Sequence, residues 1–405
     1  MSCINQHALC GLGTFSLAES LEFRKQKLLR NTQSCNSLTC AAFKLSSSQR
    51  GSDTALHGIK PTDKNKIAQA ELIYVTDAEP GITRQRRGRG YRYLNPNGTP
   101  VTESIIRDRI KRLGVPPAYT NVWICPSERG HIQATGHDAR GRKQYRYHED
   151  WQALRNEAKF SDLLRFGQKL PQIRRVARAD AERLEDRERA VLGALILLLD
   201  AAYLRVGNRQ YLEENGTYGA TTLLKRHVTF GDRIELRFLG KGGRRMQRSL
   251  KAPRLQRTLE RIADLPGKQL FGWEDEEGQS RGVDSGQLNQ HLAAIGGPGV
   301  SAKVFRTWGG TLAAFETASA AIRRGEVPTI RTLCESAASE LANTVAVCRK
   351  SYVHPQVLAL ATDEELFPVL DRQLRRKVKA KSQIGIMEQR LLTFLRSMQR
   401  RKAAD

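Results

Sequence analysis

Four short stretches of this 405-residue chain carry side chains suited to chemistry on a phosphate. Leu204-Arg205-Val206-Gly207-Asn208 closes a strongly apolar run. An arginine there either points out of a helix end into a site or caps the last carbonyls. Phe238-Leu239-Gly240-Lys241-Gly242-Gly243 sets a lysine among glycines, which let a backbone approach a partner closely. Such a lysine reaches a phosphate or a groove edge, or is an ordinary solvated turn residue. Lys303-Val304-Phe305-Arg306-Thr307-Trp308 opens a helix with Phe305 and Trp308 on its buried side. Lys303 and Arg306, three apart, share the opposite face, where two cations clamp one phosphate or simply meet solvent. The fourth stretch runs from Asn343 to Pro355. Tyr352 follows the basic end of a helix there, and Pro355 forbids its continuation. Its phenol is either a nucleophile or amphipathic packing.

Charge narrows the partners. The chain carries 67 Lys and Arg against 42 Asp and Glu, a formal net charge of +25. A polyanion is the simplest partner for such an excess, with a merely solvated basic protein as the bland alternative. A membrane surface fits less well, because there is no basic amphipathic anchor with a bulky aromatic face and no apolar run of about 18 residues. The most apolar stretch, Ala190 to Ala202, is short and contains Asp200. The seven cysteines, Cys3, Cys10, Cys35, Cys40, Cys125, Cys334 and Cys348, are odd in number and scattered. That pattern resembles neither a disulfide framework nor a zinc site, and it fits a reducing cytoplasm.

These residues need elements to position them. Hydrophobic residues make up 40% of the chain, enough for real cores, and a length above about 250–300 residues favours more than one domain. Residues 1–65 are rich in Ser, Asn, Gln and Lys and read as a disordered extension. Residues 66–148 read as a small β-rich domain. Strands are expected at Leu72 to Thr76, Tyr91 to Leu94, Val122 to Cys125 and His131 to Thr135. The turn Asn95-Pro96-Asn97-Gly98 and a helix over Glu103 to Leu113 complete that unit. Residues 149–360 read as mostly helical. The helices expected there span Asp180 to Leu204, Leu255 to Asp264, Ser285 to Ala294, Lys303 to Arg324 and Thr329 to Lys350. Three antiparallel strands interrupt them between Thr221 and Leu250, turning at Gly231-Asp232 and Lys241-Gly242-Gly243. Residues 361–405 read as a basic tail, with Leu391, Leu392, Phe394 and Leu395 offering an amphipathic turn or two. The fold class is α+β: a small β-rich amino-terminal domain and a mostly α-helical domain carrying a three-stranded antiparallel sheet.

Taken in order, these units resemble the bacterial branch of the type IB DNA topoisomerases, related to the poxvirus enzymes. The resemblance runs from about Leu72 to about Leu358. It includes Pro80-Gly81-Ile82, Arg109-Ile110, Pro116-Pro117-Ala118, Val122-Trp123-Ile124-Cys125, Gly130 to Gly136 and Gly141-Arg142-Lys143-Gln144-Tyr145. It implies relaxation of supercoiled double-stranded DNA without ATP, metal or other cofactor, by a monomer that clamps the duplex, in the cytoplasm at the nucleoid. It places the catalytic arginines on Arg205 and Arg306, the catalytic lysine on Lys241 and the nucleophile on Tyr352. Asn343 stands where the viral branch has histidine. Bacterial members often carry Asn there, a neutral donor to phosphate that removes imidazole titration from the chemistry. The amino-terminal domain becomes half of the clamp, with Gln144, Tyr145 and Tyr147 on its DNA-facing side and Arg142 and Lys143 on phosphates. Tyr211 falls in a helical segment that approaches the major groove, and Lys303 joins the DNA contacts.

The implied chemistry is coherent. Phenols ionise near pH 10 in water, so neighbouring cations must favour the phenolate. Two arginines bracket the pentacoordinate phosphorus with bidentate hydrogen bonds, and a lysine protonates the departing 5′ oxygen. A phosphotyrosyl ester stores the bond energy, which accounts for the absence of ATP. A tyrosine recombinase shares the catalytic plan but places histidine three residues before the second arginine, where this chain has Lys303. A non-catalytic DNA-binding relative would have lost a catalytic residue, and none is lost. No RNA-recognition motif supports an RNA-binding protein.

Overall fold

Period-two alternation builds the amino-terminal sheet. A computed structural model describes residues 67–404 except Gln69, and the extension expected over residues 1–65 lies outside the described residues. Strands β1 (Ile82–Arg87), β2 (Gly90–Leu94), β3 (Thr120–Ile124), β4 (Ile132–His137) and β5 (Lys143–Tyr147) form one antiparallel sheet in the order β2-β1-β3-β4-β5. Helix α1 (Ser104–Leu113) sends Ile110 into a core with Ile82, Val101, Val122, Ile124 and Ala134. The alternate residues Trp123, Cys125 and Ile132 face the other way and pack with Val75, Tyr145 and Tyr147. The stretch Leu72 to Thr76, expected as a strand, contributes a single bridge from Ile73 to Gly130. Strand β1 was not expected. Only Ile82 of its six residues is buried, and its arginines hide the alternation.

The rest is helical, with α2 (Glu149–Ala181), α3 (Arg187–Ala202), α4 (Arg209–Asn215), α5 (Pro253–Ala263), α6 (Ser285–Gly296), α7 (Ala302–Arg323), α8 (Ile330–Leu341), α9 (Val345–Ser351) and α10 (Pro355–Ala359). Helix α3 is apolar all round, the signature of a helix enclosed by others, and Leu195, Ile196, Leu198 and Leu199 are fully buried. Phe166, Leu259, Leu288, Phe305, Phe315 and Leu333 join it in one core. Strands β6 (Val228–Thr229), β7 (Ile234–Gly240) and β8 (Arg244–Leu250) make the three-stranded antiparallel sheet in that order. A small hairpin of β9 (Gly272–Glu274) and β10 (Ser280–Gly282) is additional.

Two expected long helices are each broken. Of the helix expected over Asp180 to Leu204, the first two residues end α2 at Ala181, and α3 begins only at Arg187, where the Asp186 carboxylate accepts from the Arg189 backbone N–H. The second is interrupted at Ala342-Asn343-Thr344. Ala342 adopts φ 44°, and the Thr344 hydroxyl caps α9 by accepting from Val347 N.

The carboxy-terminal segment, expected as a tail, folds into α11 (Leu366–Arg375) and α12 (Ile386–Ala404). Leu391, Phe394 and Leu395 of α12 are buried in the main core. A buried ion cluster fixes it. Arg174 of α2 meets Asp200 of α3 at 2.7 Å and Glu388 of α12 at 2.8 Å. Glu388 also accepts from Trp308 Nε1 at 3.0 Å and from Gly385 N at 2.8 Å. Removing one partner of such a pair strands a buried charge. Glu388→Ala is therefore expected to cost about 3–5 kcal/mol of stability, read as a lowered denaturation midpoint. An unchanged midpoint would show that α12 does not depend on this cluster. Among the described residues no helix is long and apolar enough to cross a membrane.

Candidate active site

The site is assembled around one guanidinium. Arg306 lies in the second turn of α7 and is only 3% exposed. Its Nη1 donates to the carbonyl of Tyr203, and its Nη2 donates to that of Leu341 at 3.0 Å. Both acceptors lie at helix ends: Tyr203 caps α3 in the left-handed conformation at φ 49°, and Leu341 is the last residue of α8. Carbonyls at helix ends lack intrahelical donors. They supply the partners without which burying this charge would be prohibitive. The helical spacing pointed to an exposed face shared with Lys303. Lys303 is exposed, but Arg306 sits inside with Phe305 and Trp308.

This arrangement draws three segments together. Two residues beyond Tyr203 stands Arg205, and two beyond Leu341 stands Asn343. Arg205 Nη2 donates to Asn343 Oδ1 at 3.3 Å. The Arg205 carbonyl accepts from Ala220 N at 2.8 Å, which holds its backbone in place. Gly207, at φ 92°, passes so close to Gly219 that a Cβ on Gly219 would lie 2.4 Å from the Gly207 Cα. Burial, with the like charge of Arg306, lowers the pKa of Arg205, and Tyr352 pulls the other way. Two buried donors, Arg306 Nε and Asn343 Nδ2, have no hydrogen-bond partner among the described residues. Unsatisfied buried donors are costly, and an anion entering here would satisfy them.

Tyr352 follows α9 and is half-buried. Its ring centroid lies 5.2 Å from Arg306 Cζ and 5.7 Å from Lys159 Nζ, within cation–π range of both. Its carbonyl accepts from Thr311 Oγ1 at 3.1 Å, and the same hydroxyl accepts from His354 N at 3.1 Å. Gly310 allows the approach: a Cβ there would lie 3.0 Å from the Tyr352 carbonyl oxygen and 2.9 Å from Leu341 Cδ1.

Lys241 occupies the β7–β8 turn, where Gly242 and Gly243 adopt φ 77° and 73° and Gly243 N donates to Gly240 O at 3.1 Å. Its side chain is exposed. It lines a cleft of about 640 Å³ together with Arg205, Asn208, Ser285 and, from the β4–β5 turn, Arg140 and Arg142. The structure thus brings Arg205, Arg306, Asn343 and Tyr352 into one cluster and sets Lys241 across the cleft that Arg205 lines. A larger cavity of about 980 Å³, lined by Arg178, Asp200, Arg254 and others, contains none of the five.

The other residues of interest are spread over the fold. Lys143, Gln144, Tyr145 and Tyr147 belong to the edge strand β5. Alternation sets Lys143, Tyr145 and Tyr147 on one face and Gln144 on the other, so the side expected to be common to Gln144 and the tyrosines divides. Tyr145 and Tyr147 stack at 5.9 Å. Arg142 pairs with Asp138 at 2.7 Å and Lys143 with Asp77 at 2.6 Å. Tyr211 lies in α4. Sequence reasoning missed Lys159, Thr311 and the helix glycines. The pair Gly309-Gly310 was the available signal, since glycine inside a helix is destabilising unless something must come close. A Cβ on Gly309 would lie 2.6 Å from the Tyr203 ring.

Comparison with known proteins gives the family. Residues 148–358 match the family described as "Eukaryotic DNA topoisomerase I, catalytic core", and residues 90–138 match "Bacterial DNA topoisomerase IB, N-terminal domain". The chain is 30% identical over 294 residues to the DNA topoisomerase 1B of Acanthamoeba polyphaga mimivirus, covering 69% of this chain and 87% of the viral protein. The chain belongs to the type IB DNA topoisomerases, a family of isomerases.

Proposed function

We propose that the chain relaxes supercoiled double-stranded DNA by transient single-strand cleavage on Tyr352, strand rotation and religation, without ATP or metal. The observation that carries this reading is the buried Arg306, tied to both segments that bear Arg205 and Asn343, beside the Tyr352 ring. In it, the phenolate of Tyr352 attacks phosphorus and forms a 3′-phosphotyrosyl bond. Arg205, Arg306 and Asn343 take the charge of the non-bridging oxygens, in preorganised positions that need no rearrangement as charge develops. Lys241 delivers a proton to the 5′ oxygen as that bond breaks. The free 5′-hydroxyl later reverses the reaction.

Residues 66–148 form one half of a clamp and residues 149–360 the catalytic half, and a single copy closes around the duplex. Arg142, Lys143, Gln144, Tyr145, Tyr147, Tyr211 and Lys303 are the proposed DNA contacts, most of them to the backbone. The net charge of +25 supports a nucleic-acid partner at the nucleoid. The test is relaxation of a negatively supercoiled plasmid by the purified chain in EDTA without nucleotide. Relaxed topoisomers are expected. Intact supercoils in EDTA, with activity restored by magnesium or ATP, would overturn the proposal.

A further inference from the structure

We propose that Lys159 is a positioning residue for the nucleophile: its ammonium anchors the chain beside Tyr352 to α2 and lays a second positive charge against the Tyr352 ring, favouring the phenolate. The inference rests on Tyr352 being the nucleophile, as proposed above. Lys159 Nζ donates to the carbonyl of Ser351, the residue before Tyr352, and lies 5.7 Å from the Tyr352 ring centroid. It also lies 4.5 Å from the centroid of the Phe160 ring, so the ammonium sits between two aromatic rings. Arg306 reaches the same tyrosine ring from α7 at 5.2 Å. The nucleophile therefore meets two cations, one from α2 and one from α7. Arg306 also has two backbone carbonyls to hold, whereas among the described residues Lys159 donates to the nucleophile's own segment.

The surroundings explain how this charge behaves. From α7 comes Lys303, the charged side chain that bears on its ionisation. From the segment after α9 come Tyr352 and His354. The His354 imidazole packs edge-on against Phe160 at 5.2 Å, and burial holds its pKa down to about 4, so it is neutral near pH 7. Burial, with the like charge of Lys303, brings the Lys159 ammonium down to about 8. The sign follows from that direction. The cation is present below about pH 8 and is lost as pH rises through it, whereas a neutral amine still donates to Ser351 O.

The experiment compares single-turnover cleavage of a duplex by wild type, Lys159→Met and Lys159→Gln from pH 6 to 10, scoring the covalent adduct. Glutamine keeps a donor for Ser351 O but not the charge. Below about pH 7 both variants should be about tenfold slower than wild type, the scale of a desolvated cation against an aromatic face. The ratio of wild-type to Lys159→Gln rates should fall through a single step near pH 8, to within about threefold at pH 9.5. Ionisation of groups that Lys159 does not touch is common to both proteins and cancels in the ratio. A ratio that stays constant with pH would show a purely structural lysine, and a wild-type rate in Lys159→Gln would show that the charge is idle. Either result overturns the proposal. If Lys159→Met fails to fold, Lys159→Gln carries the comparison. A wild-type protein that forms no adduct on Tyr352 defeats the proposed function itself, which keeps the two failures apart.

Discussion

Lys241→Ala is expected to slow cleavage of ordinary DNA by roughly 10²–10⁴-fold, the range of a lost general acid, yet to be nearly harmless when sulfur replaces the bridging 5′ oxygen. An alkoxide leaves poorly without a proton, whereas a thiolate needs none. The proposed role needs a lysine free to reach the DNA. Its side chain is exposed at a turn where two glycines adopt positive φ, on the rim of the cleft that Arg205 lines. Among the described residues it makes no hydrogen bond or ion pair, so nothing must be broken when the turn closes over DNA. Both rates are measured in both proteins under single-turnover conditions. Equal slowing of the oxygen and sulfur substrates would mean that Lys241 stabilises charge or positions DNA.

Arg306→Ala is expected to fail in two ways at once. Cleavage should fall by roughly 10²-fold or more, the scale of one lost preorganised donor. Stability should fall as well, because the carbonyls of Tyr203 and Leu341 lose their donor, each at about 1–3 kcal/mol. Arg306→Lys should restore charge without restoring either property, since one ammonium cannot reproduce the planar fork that reaches both carbonyls. The measurements are single-turnover cleavage and the denaturation midpoint. Cleavage within threefold of wild type would remove Arg306 from the chemistry, and an unchanged midpoint in Arg306→Ala would contradict its place as the hub.

What was legible in the chain follows from how locally each feature is encoded. The apolar run of α3 and the glycine-flanked tip at Lys241 are written in adjacent residues and appear where expected, whereas Pro355, read as a stop, opens α10 after α9 has already ended at Ser351. Alternation around Gly231-Asp232 and Lys241-Gly242-Gly243 was enough for the three-stranded sheet. The break that presents Asn343 was not legible. No glycine or proline marks it, and Ala342 takes its left-handed conformation at a junction held by Arg306 from another helix. Arg306 itself misled, because spacing alone cannot reveal that distant helix ends offer it carbonyls. Lys159 looks like one more basic residue until the fold brings Ser351, 192 residues away in sequence, to its amine. The segment after residue 360 looked like a tail because its charge dominates its composition. Its apolar residues gain meaning only in the main core, and its Glu388 only against Trp308 and Arg174.

The central claim is that Tyr352 becomes covalently joined to DNA. The most direct measurement is to denature the wild-type protein during reaction with a labelled duplex in EDTA without ATP, digest it, and sequence the peptide that carries the DNA. The account predicts a single modified peptide containing Tyr352, joined to a 3′-phosphate, with a free 5′-hydroxyl on the other strand end. A Tyr352→Phe protein should bind the same duplex and give no adduct. An adduct on another residue, a link to a 5′-phosphate, or an adduct that persists in Tyr352→Phe would contradict it.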